Sequence, residues 1–448
     1  MRVAQLGCGF FTIAALLLHV PEARSESQPA IVLSESTLTL NGPWKFRTGD
    51  DPGWSDPAFD DSGWENVDLT PQPGANDGDV GLTGYVPGWT ARGHAGYHGY
   101  AWYRIHLSVV PPTGRVLALL GPWAVDSVYQ VFVNATLLGG VGDFSGATPT
   151  AYGYHYPKLF ALPSQQARGG ALVIAIRVWM GAWALARPGN GGIHIAPAVG
   201  EREAITAAYR LQWLKILEGY AVDAVPALLF VLMALLVLCL LPWDRTDRAY
   251  PWLAAALLLS AVQRGNQAFF FWWQIETVQG FVYIILALVA SLNLGAWIMA
   301  WRSWFKVDGP TWLPKLVAAL TVVLILAQLL SRPWLFHGWP PHSLAAVARY
   351  LITCARLGLL LALAWVVCAG MRRNAREGCY ALPAVLAIGA VLFSAELAAV
   401  HVPGIWFPWG VGLSLSECAS VVFDVLLFIL LVRRLWSYAP SRLAQAPV

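Results

Sequence analysis

From Tyr220 onward the sequence is a succession of apolar runs separated by short gaps. In hydrocarbon no backbone polar group can go unbonded, so such runs must be helical, and each crossing needs about 20 apolar residues. The runs fall at 219–242, 251–273, 278–301, 312–331, 344–370, 379–400 and 411–432, which predicts seven spans. The second is the weakest, because Gln263-Arg264-Gly265-Asn266-Gln267 interrupts it. The whole chain is 57% hydrophobic and only 12% charged, where a soluble domain carries roughly a quarter charged residues. The excess is confined to the C-terminal half, since 26–218 reads as an ordinary soluble segment rich in Gly, Pro, Asp and Trp.

Loop charges orient the spans. The gaps after the first, third and fifth spans and the tail hold Arg245, Arg248, Arg302, Lys306, Lys315, Arg372, Arg373, Arg376, Arg433, Arg434 and Arg442, whereas the opposite gaps hold only Arg332. Basic loops stay on the cytoplasmic side. Residues 1–25, with Arg2, an apolar core and Ala23-Arg24-Ser25, fit a secretory signal, an uncleaved anchor being the alternative. Both cues place the N-terminal domain in the periplasm or outside the cell and the tail, 436–448, in the cytoplasm. The expected location is the cell inner membrane, with lipid as a partner. The outer gaps are aromatic (FFFWWQIE, RPWLFHGW, PGIWFPWG), as suits headgroup anchoring.

Ionisable groups inside spans are costly and often functional. Here they are Asp223, Arg264, Arg349, Arg356, Glu396, Glu417 and Asp424. Arg349 and Arg356 share one face of the fifth span, Glu417 and Asp424 one face of the seventh. If those faces meet, Arg349 pairs with Glu417 and Arg356 with Asp424, at depths about 10 Å apart. Water, backbone carbonyls or other spans are the alternative partners. Arg264, Asn266, Gln267, Glu396 and His401 fall in the outer half of their spans. They either line a polar pocket open to the outside or hold the bundle together by interhelical hydrogen bonds.

In 26–200, short apolar stretches alternate with Gly- and Pro-rich turns. From Ser127 to Asn134, apolar side chains recur with period two. This predicts an antiparallel β-sandwich. Four segments then come in order: LNGPWKFRTGDDPGWSDPAFDDSGWENVDLT, GYAWYRIHLSV, VYQVFVNATLLGG and ALVIAIRVW. Over about 38–195 this series resembles the sugar-binding jelly-roll domain of family 2 glycoside hydrolases, with a galactose-binding-like fold. The resemblance implies carbohydrate as the ligand. It also implies an ancillary role, because in those enzymes the catalytic carboxylates sit on a separate (β/α)₈ barrel of about 250 residues. Asp50, Asp51, Asp56, Asp60 and Asp61 read as turn residues, without the regular ligand spacing of a calcium loop. Trp44, Trp64 and Trp102 read as core. The loop GYVPGWTARGHAGYHGY combines Trp89, Arg92, His94, Tyr97 and His98 with several glycines. Rings stack on sugars, and Arg and His bind carboxylate or hydroxyl groups, so this loop is the expected ligand contact.

The segment 201–218 has helix formers and no Gly or Pro, and predicts a connector helix between the sandwich and the bundle, 219–435. A β-sandwich followed by seven spans resembles, in architecture, the bacterial seven-transmembrane receptors with diverse intracellular signalling modules. That resemblance implies a sensor acting on a cytoplasmic effector. Only LWSYAPSRLAQAPV follows Arg434, so the effector is expected to be a separate protein, or the chain a truncated receptor. A transporter is the alternative class, and the chain shows no inverted repeat. No nucleophile–base set, metal motif or phosphate loop stands out, none of the six cysteines falls in the soluble segment, and none of their spacings suits zinc or redox chemistry. Hence no enzyme activity, cofactor or metal is expected. The net charge of +3 says less than its distribution, and no nucleic-acid partner is expected.

Overall fold

The computed structural model describes residues 31–32, 37–77, 82–110, 116–153, 156–163, 171–186, 189–242, 247–273, 275–332, 341–402, 405–406 and 413–443. The signal segment, Arg245, most of the second and third aromatic gaps and the last residues of the tail lie outside these.

The N-terminal half is β: β1 (Ile31–Val32), β2 (Thr37–Thr39), β3 (Trp44–Thr48), β4 (Glu65–Val67), β5 (Gly99–Val110), β6 (Leu117–Leu120), β7 (Val125–Asp126), β8 (Val128–Val133), β9 (Thr136–Val141), β10 (Leu159–Ala161), β11 (Ala171–Met180), β12 (Gly192–Ile193) and β13 (Ala198–Glu201). One antiparallel sheet has the order β4-β3-β5-β11-β8-β9, with β1 added parallel to the end of β5. The second has the order β10-β6-β13-β2. Alternation along the strands buries one face of each sheet in a common core, where Tyr129, Val131 and Val133 of β8 and Ile174 and Ile176 of β11 meet Leu119 of β6 and Val199 of β13. The β8–β9 hairpin turns through Asn134 (φ 45°) and Ala135 (φ 66°). Two consecutive left-handed residues are what a tight hairpin needs.

The aspartate- and tryptophan-rich segment before β4 covers the other face of the larger sheet. Trp54, Trp64 and Trp102 form a separate cluster there with Ala175, flanked by Phe59 and Phe132. Asp51, Asp56 and Asp60 each accept a bond from the backbone N–H two residues on, at 2.8, 2.8 and 3.0 Å. These close the local turns that short acidic side chains favour. The other two acids are ion-pair partners. Asp50 takes both Nε (2.8 Å) and Nη2 (2.5 Å) of Arg177. Asp61 takes Nε of the fully buried Arg104 at 2.7 Å.

The C-terminal half is helical: α1 (Arg202–Leu240), α2 (Ala249–Trp273), α3 (Val278–Trp304, with a π-helical stretch at Val282–Val289), α4 (Leu313–Leu330), α5 (His342–Arg373), α6 (Ala375–Leu392), α7 (Ser394–Ala399) and α8 (Leu415–Leu443). A two-stranded ribbon, β14 (Ile405–Trp406) with β15 (Leu413–Ser414), precedes α8. Among the described residues, six helices are long and apolar enough to cross a membrane, not the seven expected. The exception is α2, an unbroken helix of 25 residues. Its polar run at 263–267 lowers its hydropathy, and it is held instead by packing, with Leu253, Leu257 and Ala261 in the bundle core beside Trp297 and Phe230. Outward faces of the bundle expose Leu228, Leu361, Leu386 and Phe428, an apolar surface that suits hydrocarbon.

Connector and first span form one helix. At 39 residues α1 is about 58 Å long, while the hydrocarbon of a bilayer is about 30 Å thick. Its N-terminal part therefore runs along the sandwich, with Ile205 against Ala118 and Leu120. Farther on, Ile216 and Tyr220 join Ala268, Phe270 and Phe271 of α2 and Trp123 and Val128 of the sandwich in one apolar cluster. The rings of Tyr220 and Phe271 stack at 3.9 Å. At the opposite end of the bundle, Arg434 pairs with Asp247, Arg373 with Asp308 at 3.2 Å, and Arg433 lies 3.8 Å from Glu377.

Candidate functional site

A cavity of about 420 Å³ opens among the helices one to two turns from the sandwich. Polar residues from several helices line it, and four of these elements carry a local interruption of apolar sequence at that level. On α1, Asp223 precedes Pro226, which removes a helix hydrogen bond. On α2, Ser260, Gln263, Arg264 and Gln267 recur every three to four residues and so share one face. The end of α4 adds Gln328 and the following Arg332, and the start of α8 adds Glu417. The floor is tied by a chain of bonds: Trp297 Nε1 donates to Ser260 Oγ, Ser260 Oγ to Asn293 Oδ1, and Asn293 Nδ2 to Gln263 Oε1, each at 3.0 Å.

The charge pairs differ from those that helix spacing predicted. Arg356 binds Glu396 through Nε (2.5 Å) and Nη2 (2.7 Å), and Nη2 also donates to the Leu392 carbonyl at 2.9 Å. Glu417 caps its own helix, accepting from Ser414 N–H at 2.6 Å, and its other oxygen lies 3.9 Å from Arg264. Arg264 is nearer to Asp223, at 3.4 Å. Arg349 is exposed, and Asp424 is buried with no hydrogen-bond partner among the described residues. Seven-residue spacing does put each pair on one helix face. The error lay in which faces meet: α8 packs on α6 and α1, while α5 packs on α4, α3 and α6. Of the residues expected in a pocket, Arg264 and Gln267 line the cavity. Asn266 instead donates to Glu276 at 2.9 Å, Glu396 holds Arg356, and His401 is exposed in a left-handed turn with φ 64°. Sequence reasoning missed Gln263, Asn293, Gln328 and Arg332 as lining. Arg332 carried a signal, being the lone basic residue of the outer gaps.

In the sandwich, a groove of about 500 Å³ is bordered by Asp68, Thr70, Asn76, Tyr85 and Arg92. The Thr70 hydroxyl and N–H hold the Asp68 carboxyl below its ordinary range. Of the five residues expected to touch ligand, Arg92 alone lines this groove, and it is braced by the carbonyls of Pro87 (2.8 Å) and Asp68 (2.7 Å). Trp89 is 1% exposed, and a Cβ on Gly191 would meet its ring at 2.5 Å. It is therefore core, not a stacking platform. His94 bonds Glu65 at 3.1 Å. Tyr97 Oη accepts from Gly49 N–H (3.0 Å) and donates to the Tyr100 carbonyl (2.5 Å), and His98 is exposed. Among the described residues no three His, Cys, Asp or Glu side chains gather as a metal would require.

No protein-family model matches this sequence, and no curated protein matches it. Solved structures to which the chain is similar include a beta-glucuronidase of Bacteroides uniformis, at 21% identity over 37% of this chain and 18% of that one, with TM-score 0.27. A glycosyl hydrolase family 2 member from Bacteroides cellulosilyticus is 18% identical over 37% of this chain and 21% of that one, with TM-score 0.27. A Ruminococcus gnavus beta-glucuronidase is 14% identical over 37% and 28%, with TM-score 0.24. The chain spans about a fifth of the length of the first of these. Likeness at this level bears on neither activity nor ligand.

Proposed function

We propose that the protein is a receptor of the cell inner membrane. Its outer sandwich, a galactose-binding-like jelly roll, takes a small ligand, carbohydrate by the order of its sequence motifs. Its helical bundle passes the event to a separate cytoplasmic effector. The observation that carries this reading is the apolar seat joining the sandwich to α1 and α2. A sandwich tethered only by a loop would swing freely, whereas this one shares buried rings with the two helices that also line the bundle cavity. Ligand binding shifts the bundle only insofar as the ligand prefers one packing. The basic end of the bundle, with Arg372, Arg373, Arg433 and Arg434, supports a cytoplasmic location for the output.

Two measurements test the reading. In whole cells, a membrane-impermeant maleimide should label His98→Cys and spare Asp308→Cys; the reverse pattern sinks the orientation. In nanodiscs, the full chain should bind members of a glycan array, with Arg92→Ala weakening binding. Spin labels at Asp308 and Glu377 should then change separation when the glycan is added. Silence across the array removes carbohydrate, and a fixed separation removes signalling. The polar cavity within the bundle also supports a transport reading, and uptake of solute into proteoliposomes decides for it.

A further inference from the structure

Among the described residues, the formal charges around the bundle cavity balance, with Glu396 counted beside Arg356, but they are unevenly placed. Arg356 is neutralised where it stands by its two bonds to Glu396. Among the described residues Arg264 is the cation at one corner, nearer to Asp223 at 3.4 Å than to Glu417 at 3.9 Å, which leaves Glu417 with the surplus negative charge. Glu417 commits Oε2 to the Ser414 N–H, and Oε1 receives no hydrogen bond among the described residues. Arg332 has the opposite surplus. It bonds through Nη1 alone, to the Gln328 carbonyl (2.7 Å), Gln328 Oε1 (2.8 Å) and the Ser331 hydroxyl (3.4 Å). Among the described residues no carboxylate pairs with it, and its Nε and Nη2 have no partner.

Both poles line the same cavity of about 420 Å³ without touching each other. Unpaired charge at membrane depth is costly. A purely anionic ligand would satisfy Arg332 and meet repulsion from Glu417 and Asp223; a purely cationic one would do the reverse. We infer that the cavity is a binding site for a small zwitterion, its carboxylate on Arg332 and its ammonium at Glu417 Oε1. The volume is in the range of small-molecule sites and admits a molecule of amino-acid size. Two backbone irregularities fall at this level. The π-helical stretch Val282–Val289 contributes Ile285 and Leu286 to the wall, and such stretches concentrate at functional sites. Pro226 loosens α1 within a turn of Asp223. The site lies in the bundle, apart from the sandwich groove, so it stands or falls without any glycan or signalling output.

The test is thermal unfolding of the full chain in nanodiscs with the common α-amino acids and γ-aminobutyrate, against butyrate and butylamine at equal concentration. At least one zwitterion should raise the unfolding temperature, and butyrate and butylamine should not. Arg332→Gln should weaken the apparent affinity roughly ten- to a hundredfold, as loss of a charged hydrogen-bond partner does. Arg332→Lys should recover part of it, keeping charge without the planar fork, and the exposed Arg349→Gln should leave it unchanged. Among the described residues Arg332 makes only local bonds, so its variants are expected to fold, and the unfolding temperature without ligand verifies this. The inference is overturned if no zwitterion stabilises the protein, if butyrate does so equally, or if Arg332→Gln binds as the parent does.

Discussion

Arg104 is the residue on which the tryptophan-rich cover of the sandwich depends. Its side chain is fully buried and donates to Asp61 Oδ2 at 2.7 Å, to the Asp56 carbonyl at 3.0 Å, to the Phe59 carbonyl at 3.3 Å and to the Trp54 carbonyl. The guanidinium also lies 5.6 Å and 5.9 Å from the ring centres of Phe59 and Trp64. Arg104→Met keeps the aliphatic bulk and removes every donor. Among the described residues it leaves the Asp61 carboxylate with only His106, at 2.8 Å, and three carbonyls without their bond from Arg104. Removing one partner of a buried pair costs about 3–5 kcal/mol. With a urea slope near 2 kcal/mol/M, the unfolding midpoint should fall by about 2 M. Pulse proteolysis of the full chain in detergent, following the sandwich fragment, reads this directly. Asp61→Asn, which keeps a neutral acceptor, should cost about 1–2 kcal/mol, the difference between a charged and a neutral hydrogen bond. The two changes together should cost less than their sum, by at least about 1 kcal/mol. A loss below about 1 kcal/mol for Arg104→Met, or strict additivity with Asp61→Asn, would refute the claim that this pair holds the cover in place.

Three further expectations follow from particular groups. Burial raises the Asp61 carboxyl, but the bonds and charges of Arg104 and His106 outweigh it and hold the group below its ordinary value. The stability Asp61 contributes is therefore present above about pH 3.9 and lost as pH falls through the lower folded value; acid unfolding of Asp61→Asn should lack that component. In the bundle, Arg356→Glu should lower the yield of folded protein, and adding Glu396→Arg should restore much of it, whereas adding Asp424→Arg should not; size-exclusion profiles in detergent read the outcome. Asp424 is buried without a hydrogen-bond partner among the described residues, so Asp424→Leu should raise stability by about 1–3 kcal/mol, the usual penalty of an unsatisfied buried group. A fall in urea midpoint would mean that Asp424 holds a partner in the folded bundle.

The membrane half was legible because its signal is one-dimensional. Apolar run length decides which segments can be spans, and six of seven expected runs met that criterion as helices. The seventh, α2, still forms a helix, since tertiary packing on α1 and α3 overrides its weaker hydropathy. Local chemistry was readable in part: Asp51, Asp56 and Asp60 close turns over two residues as expected, whereas Asp50 and Asp61 bind Arg177 and Arg104, and Glu417, expected opposite Arg349, caps its own helix. The loop at 84–100 misled for the opposite reason. Trp89 and Tyr97 have the composition of a ligand platform, yet whether a ring faces solvent or core depends on strands far away in sequence, here the Gly191–Gly192 approach beneath Trp89.

Alone, the chain's order of residues settled what depends on neighbours a few positions apart: helix, strand, turn and the division into a polar and an apolar half. Only the tertiary structure decided which charges meet. Helix spacing defines a face but not the angle at which that face is presented. That angle comes from packing, which turns Arg356 toward Glu396 and brings Arg264, Arg332 and Glu417 around one cavity.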